Sequence, residues 1–253
     1  GGNKLHMIQV KNLNMTYQVY KKQIGLLSTI KGLINRKYDS IQALKDINLF
    51  IDEGEIIGFI GPNGAGKTTF LKVLSGLLYP TSGEVKVDKY IPFERKKDFR
   101  KMISLVMGQK SQLMWDIAPI ETFYVNRAIY EIDKKVFHNT LNELVELLDV
   151  KHCLNTPVRQ LSLGERMKME IIASLLHFPR VLFLDEPTIG LDLKSQIAMR
   201  DFIKTYISNR KITVIITSHY MEDIKSLCKR IVMINKGTLI YDGDIENLYF
   251  CIR

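Results

Sequence analysis

Apolar residues follow two rhythms along this chain, short unbroken runs and longer stretches in which they return every third or fourth position. The unbroken runs at residues 55–60, 102–107, 181–185 and 212–217 predict buried strands, because only a strand covered on both faces lacks a polar side. Residues 5–17, 41–51, 231–234 and 238–241 predict further strands, and residues 84–88 alternate as an exposed one does. Helical periodicity marks residues 69–75, 95–101, 120–132, 134–148, 166–177 and 194–207. In the stretch 134–148, Val136, Leu141, Leu144, Val145 and Leu148 fall on one predicted face. Residues 21–37 carry Ile24, Leu27, Ile30 and Leu33 at helical spacing, with lysines and arginines at the ends and opposite face. Such a basic amphipathic helix fits an anionic membrane surface, a partner helix, or its own domain with solvated lysines.

Strands that alternate with helices point to an α/β fold with a mostly parallel sheet. Between residues 111 and 156 the period is helical throughout, so this stretch is expected to be a helical insert in that fold. Leu113, Met114 and Trp115 stand at its entrance and suit either core or a docking surface.

Composition narrows this picture only a little. The chain has 253 residues and a formal charge of +9, which suits nucleic acid, anionic lipid or a polyanionic ligand such as a nucleotide. Its three cysteines, Cys153, Cys228 and Cys251, form neither a CxxC pair nor an even set, and are expected to be reduced thiols that imply no metal site. No apolar run reaches the ~18 residues of a membrane span.

The chemistry concentrates at the ends of the predicted strands. Gly61, Pro62, Asn63, Gly64, Ala65, Gly66, Lys67, Thr68 and Thr69 join a strand to a helix and fit the pattern GxxxxGK[ST]. Glycines there let backbone N–H groups wrap a phosphate, Lys67 supplies a cation between β- and γ-phosphates, and Thr68 offers a hydroxyl to Mg²⁺. The run 181–185 ends in Asp185, with Glu186 behind it. Carboxylates at the mouth of a buried strand are costly unless a cation or polar ligand meets them, so Asp185 reads as a Mg²⁺ group and Glu186 as a base that polarises water. Gln109 and His219 each stand just past another strand's carboxyl end, where ligands sit in open α/β sheets. Ser162 with Glu165 forms a capping box that also leaves a helix start open to an anion. Asp192 adds an acid in the loop after Glu186.

Taken in this order, the motifs resemble the ATP-binding-cassette (ABC) transporter ATPases along nearly the whole chain. Residues 61–69 match that family's Walker A motif, Gln109 its Q-loop, residues 161–165 its LSGGQ signature, 181–186 Walker B, 189–192 the D-loop and His219 the switch histidine. Leu163 and Glu165 depart from the commonest signature, while Ser162 and Gly164 keep it. The resemblance implies a P-loop core with an antiparallel β subdomain over residues 1–110 and 157–253, an amphipathic insert at 18–40, and a helical subdomain at 111–156. It further implies ATP and Mg²⁺ as cofactors, with Tyr17 or alternatively Tyr38 stacked on adenine, and Thr68, Gln109 and Asp185 around the metal. Glu186 would be general base, and Lys67 and His219 would hold the γ-phosphate. Ser162 and Gly164 would meet ATP bound by a second, identical or paralogous, subunit, and Glu165 and Asp192 count among the nucleotide-binding residues. Integral membrane permease subunits would dock on the insert near Trp115, placing the chain at the cytoplasmic face of the membrane, and no nucleic acid is expected. Residues 106–116 and 161–166 are most similar to exporters of drugs, lipids or polysaccharides. The alternative within the superfamily is a non-transport ATPase acting on ribosomes or nucleic acid. A small GTPase is disfavoured, since residues 235–238 lack the acid that reads guanine.

Overall fold

The computed structural model describes residues 6–20 and 38–251, and the predicted amphipathic helix at 21–37 lies outside them. Two sheets make the frame. The larger has six strands in the order β5-β6-β7-β3-β8-β9, formed by Ile103–Met107 (β5), Val181–Asp185 (β6), Thr213–Thr217 (β7), Ile56–Ile60 (β3), Arg230–Asn235 (β8) and Thr238–Asp244 (β9). All neighbours in it pair in parallel except the edge pair β8 and β9. The smaller sheet is antiparallel, in the order β2-β1-β4, from Tyr38–Ile51, Ile8–Tyr20 and Ser82–Val87. β1 therefore runs three residues beyond the expected Tyr17, to Tyr20, paired with Tyr38 at the start of β2.

β6 and β7 are buried at every position because each of their faces meets a different core. Along β6, Leu182 and Leu184 join a core shared with the helical region, while Val181 and Phe183 join one shared with the small sheet and helix α1, Lys67–Leu74. β7 divides the same way, with Val214 and Ile216 on one side and Ile215 on the other. Truncating a fully buried ring such as Phe183 to alanine should cost about 3–5 kcal/mol. β4, expected to be exposed, buries Val85 and Val87, while Ser82, Gly83, Glu84 and Lys86 are exposed.

The helices are α2 (Lys97–Met102), α3 (Pro119–Ile129), α4 (Lys134–Leu147), α5 (Leu163–Leu175), α6 (Leu193–Phe202), α7 (Met221–Leu227) and α8 (Ile245–Cys251). Arg95, expected in a helix, adopts a left-handed φ of 50° and stops the preceding turn, so α2 begins after it. Met102 ends α2 instead of opening a strand. In α4 the buried stripe is Phe137, Leu141, Leu144, Val145 and Leu148, at i, i+4, i+7, i+8 and i+11. Val136 sits one residue, about 100°, off that stripe and is exposed, contrary to its predicted place on the apolar face. α3 and α4 form the helical region between β5 and α5, as the change of period predicts.

Candidate active site

The phosphate loop grows from β3 and feeds α1 without a side-chain cap. Gly66 is the N-cap, with φ of 114°, and a Cβ there would stand 2.6 Å from the Ala43 carbonyl oxygen. Only glycine fits, so the first N–H groups of α1 face the loop with the positive end of the helix dipole behind them. Lys67 is buried, and its Nζ donates to the carbonyls of Gly61 at 2.7 Å and Pro62 at 3.1 Å. Burial lowers its pKa, while the nearby Glu186 and Asp185 charges act in the opposite direction. Ala65 packs its methyl into the core, and its carbonyl accepts from Gly237 N–H.

Across the loop, Asp185 ends β6 as a buried carboxylate. Thr68 Oγ1 donates to its Oδ2 and Thr217 Oγ1 to its Oδ1, each at 2.7 Å. The same Thr217 hydroxyl accepts the Glu186 N–H at 2.9 Å. Glu186 has a left-handed φ of 54°, a costly conformation for a residue with a side chain, of order 1–3 kcal/mol. Its carboxylate reaches His219, with Oε1 and Nε2 2.6 Å apart.

A cavity of about 920 Å³ opens over this constellation. Among the described residues its lining includes Tyr17, Asn63, Gly64, Gly66, Lys67, Thr68, Thr69, Gln109, Asp185, Glu186 and His219. Tyr17 also pairs its hydroxyl with Thr69 Oγ1 at 3.2 Å. The motif reading missed Lys45, Lys72, Lys110 and Lys236, which surround the same cavity. No local pattern marks them, though the net positive charge and its suggestion of a polyanion agree with their placement.

Ser162, Gly164, Glu165 and Asp192 are not part of that lining. Ser162 caps α5: its Oγ accepts from Glu165 N–H, and Glu165 Oε2 accepts from Ser162 N–H at 2.8 Å. These bonds, with His152 and the Cys153 thiol also on the carboxylate, pull the Glu165 pKa down to about 2. Burial and the Glu165 contact push Cys153 up to about 12. His152, Cys153 and Glu165 thus bring metal-ligand atoms within 4.8 Å of one another, but hydrogen bonds already account for the cluster. Asp192 caps α6 through Ser195 N–H and Oγ. A Cβ on Gly164 would stand 2.4 Å from that Ser195 hydroxyl, so the signature start and the α6 cap lie against each other.

The family model described as ABC transporter matches residues 44–189, more than half of the chain. The chain belongs to the ABC transporter family. It is an ATP-binding subunit and an ATPase, with the P-loop core and antiparallel subdomain expected for it. It is 32% identical to the ABC transporter ATP-binding protein NatA of Bacillus subtilis over 83% of this chain and 85% of that protein. It is 32% identical to the bacitracin transport ATP-binding protein BcrA of Bacillus licheniformis, over 85% of this chain and 69% of that one. In fold it resembles a dimeric ATP-binding cassette solved in a post-hydrolysis state with ADP and Pi, with a TM-score of 0.78 and 24% identity over 94% and 99% of the two chains.

Leu163, the departure from the family's commonest signature, packs on the main core and lies over Gly190 of the D-loop. One residue of this ABC ATPase escaped the motif reading. Glu170, buried on α5, accepts from Ser111 Oγ at 2.5 Å, Gln112 N–H at 2.9 Å and Leu113 N–H at 3.3 Å, all through Oε1. The signature helix therefore grips the segment that follows Gln109. With Glu165, Arg166 and Lys168 in the same helix, nothing local sets Glu170 apart as the buried charge. At the entrance to the helical region, Leu113 is buried while Met114 and Trp115 are about half exposed, and Arg166 lies over the Trp115 ring at 5.7 Å.

Proposed function

We propose that this ABC ATPase hydrolyses ATP between two subunits arranged head to tail, and that the resulting closure drives membrane subunits, most consistently in export. The observation that carries the reading is the meeting of Lys67, the Thr68–Asp185 pair and the Glu186–His219 pair in one cavity, while Ser162 and Gly164 lie outside it. One subunit supplies the phosphate loop, and the signature residues of a second would complete the site.

Within that site Lys67 binds the β- and γ-phosphates, and Tyr17 lies at the edge where an adenine ring can stack. Thr68 and Asp185 present hard oxygen donors side by side, with Gln109 on the same cavity, a set that suits Mg²⁺. When bound, the ion would offset charge on the β- and γ-phosphates. Glu186 Oε1 takes a proton from water as its oxygen attacks the γ-phosphorus, His219 holds that water and the phosphate in line, and ADP departs from inorganic phosphate.

Residues 111–156 serve as the subdomain that meets the permease, with residues 1–110 and 157–253 as the core. Support comes from the exposed Met114 and Trp115 and from the neighbouring groove formed by Arg95, Arg100, Gln112 and Tyr130. The location that follows is the cytoplasmic face of the membrane. No helix among the described residues is long and apolar enough to cross one, so the permease must be separate or lie elsewhere. Export is favoured by the likeness of residues 106–116 and 161–166 to exporters and by the relative that transports bacitracin.

The test is Glu186→Gln expressed in cells and trapped with ATP. The expected result is retained ATP binding, turnover lowered by about a hundredfold or more, and recovery of a multi-spanning membrane protein. Turnover at the original rate would sink the general-base role, and recovery of ribosomes or nucleic acid would replace the transport reading.

A further inference from the structure

Glu186 and His219 sit on two different strand ends, and the backbone bonds that tie those strands reach Glu186 but not His219. Among the described residues, the last is Glu186 N–H to the Thr217 carbonyl at 3.1 Å. Beyond it the chains separate into the loop that carries Thr188 and the turn that carries Ser218. Both hydroxyls are buried, and both donate to one atom. Thr188 Oγ1 lies 2.5 Å and Ser218 Oγ 2.7 Å from Oδ2 of Asp223, a carboxylate with no exposed surface on α7. The other oxygen, Oδ1, accepts from Arg200 of α6 at 3.1 Å. Ser218 Oγ in turn accepts the Tyr220 N–H at 3.0 Å, which closes the turn around His219.

We propose that Asp223 is the positioning residue that sets the distance between Glu186 and His219, by clamping the chain two residues after the one and one residue before the other. A buried carboxylate is costly unless its lone pairs are met, and here Thr188, Ser218 and Arg200 meet them. Each of the two loops thereby gains a fixed point next to its catalytic side chain. Reaction rates fall steeply when reacting groups move by an ångström, so a clamp at this position acts on turnover more than on nucleotide binding. The bond to Arg200 extends the clamp to α6, whose first turn Asp192 caps against the signature start.

This inference rests on the assignment of Glu186 as base and His219 as its partner. Its test uses the full chain and ATP with magnesium, with binding measured by calorimetry and turnover by phosphate release. Thr188→Val removes one hydroxyl at nearly constant shape. It should lower kcat by about tenfold while ATP affinity stays within about twofold, and Thr188→Ser should restore kcat to within about twofold. Ser218→Ala should show the same split, and decides the matter if the valine variant does not fold. The proposal is overturned if kcat stays within about twofold of the unaltered protein, if affinity falls in step with kcat, or if Thr188→Ser is as slow as Thr188→Val. Glu186→Gln and His219→Ala are measured alongside. If they retain turnover the underlying assignment fails, and if they lose it while Thr188→Val does not, only the role of Asp223 falls.

Discussion

Two helices in this ABC ATPase begin at motifs that the family associates with ATP phosphate, and they begin in opposite ways. α1 starts at Gly66 with no side-chain cap, so no capping side chain competes for its first N–H groups. α5 starts at Ser162 with a complete capping box, in which Ser162 and Glu165 meet each other's N–H groups and leave those of Leu163 and Gly164 outside the box. An uncapped helix start beside a lysine forms an anion site within one chain. A capped one competes with its own side chains for any anion that approaches. The difference sets a helix start that is open within its own chain against one partly closed by its own side chains, which agrees with the proposed arrangement in which the second meets nucleotide held by another subunit.

The sharpest way to break this comparison is Lys67→Ala. If Lys67 gives the bound phosphates two charge-assisted hydrogen bonds, as proposed, their loss at about 1.5 kcal/mol each should weaken ATP binding about a hundredfold or more, as calorimetry would read. Undiminished affinity would mean the uncapped helix start and its loop suffice, or that ATP binds elsewhere.

A smaller effect is expected at Glu170, which ties the capped helix to the segment after Gln109. Glu170→Ala leaves the Gln112 N–H without its acceptor and removes one of two partners from the Ser111 hydroxyl and the Leu113 N–H, at a cost of about 2–3 kcal/mol, so the melting temperature should fall by roughly 5–10 °C. Glu170→Gln keeps the accepting oxygen and should melt close to the unaltered protein. Burial raises the Glu170 pKa, so the carboxyl favours folding most below its ordinary value of 4.5 and loses that advantage as pH rises. Glu170→Gln should therefore gain relative stability as the pH is raised. The opposite trend would remove the burial argument.

The smallest effect is expected at the cap itself. Glu165→Gln keeps the reciprocal bonds of the capping box but loses the charge that strengthens them, so at neutral pH the melting temperature should fall by roughly 2–5 °C. The Glu165 pKa is depressed to about 2, so the charged cap stabilises the fold above 4.5 and loses that contribution as pH falls toward 2. Between those limits the glutamine variant should lose less stability than the unaltered protein, which thermal melts across that range would read.

Much of this architecture was legible in the order of residues. The strand, loop and helix around Gly61–Thr69 could be read locally because phosphate recognition there uses consecutive residues, and the burial of β6 and β7 followed from unbroken apolar runs. Val136 was misplaced because a helical stripe tolerates a neighbour 100° away on paper, while Phe137 is the side chain that α4 buries. Asp223 and Glu170 left no motif, since each acts through partners that are remote in sequence: Thr188 and Ser111 are 35 and 59 residues away. Sequence alone determined which chemical groups the chain carries and which elements present them, because backbone propensity and side-chain period are local properties. Tertiary structure decided which groups meet. Closing the long loops that bring Asp185 to Thr68 and Glu186 to His219 takes the burial of two cores, and no stretch of residues encodes that by itself.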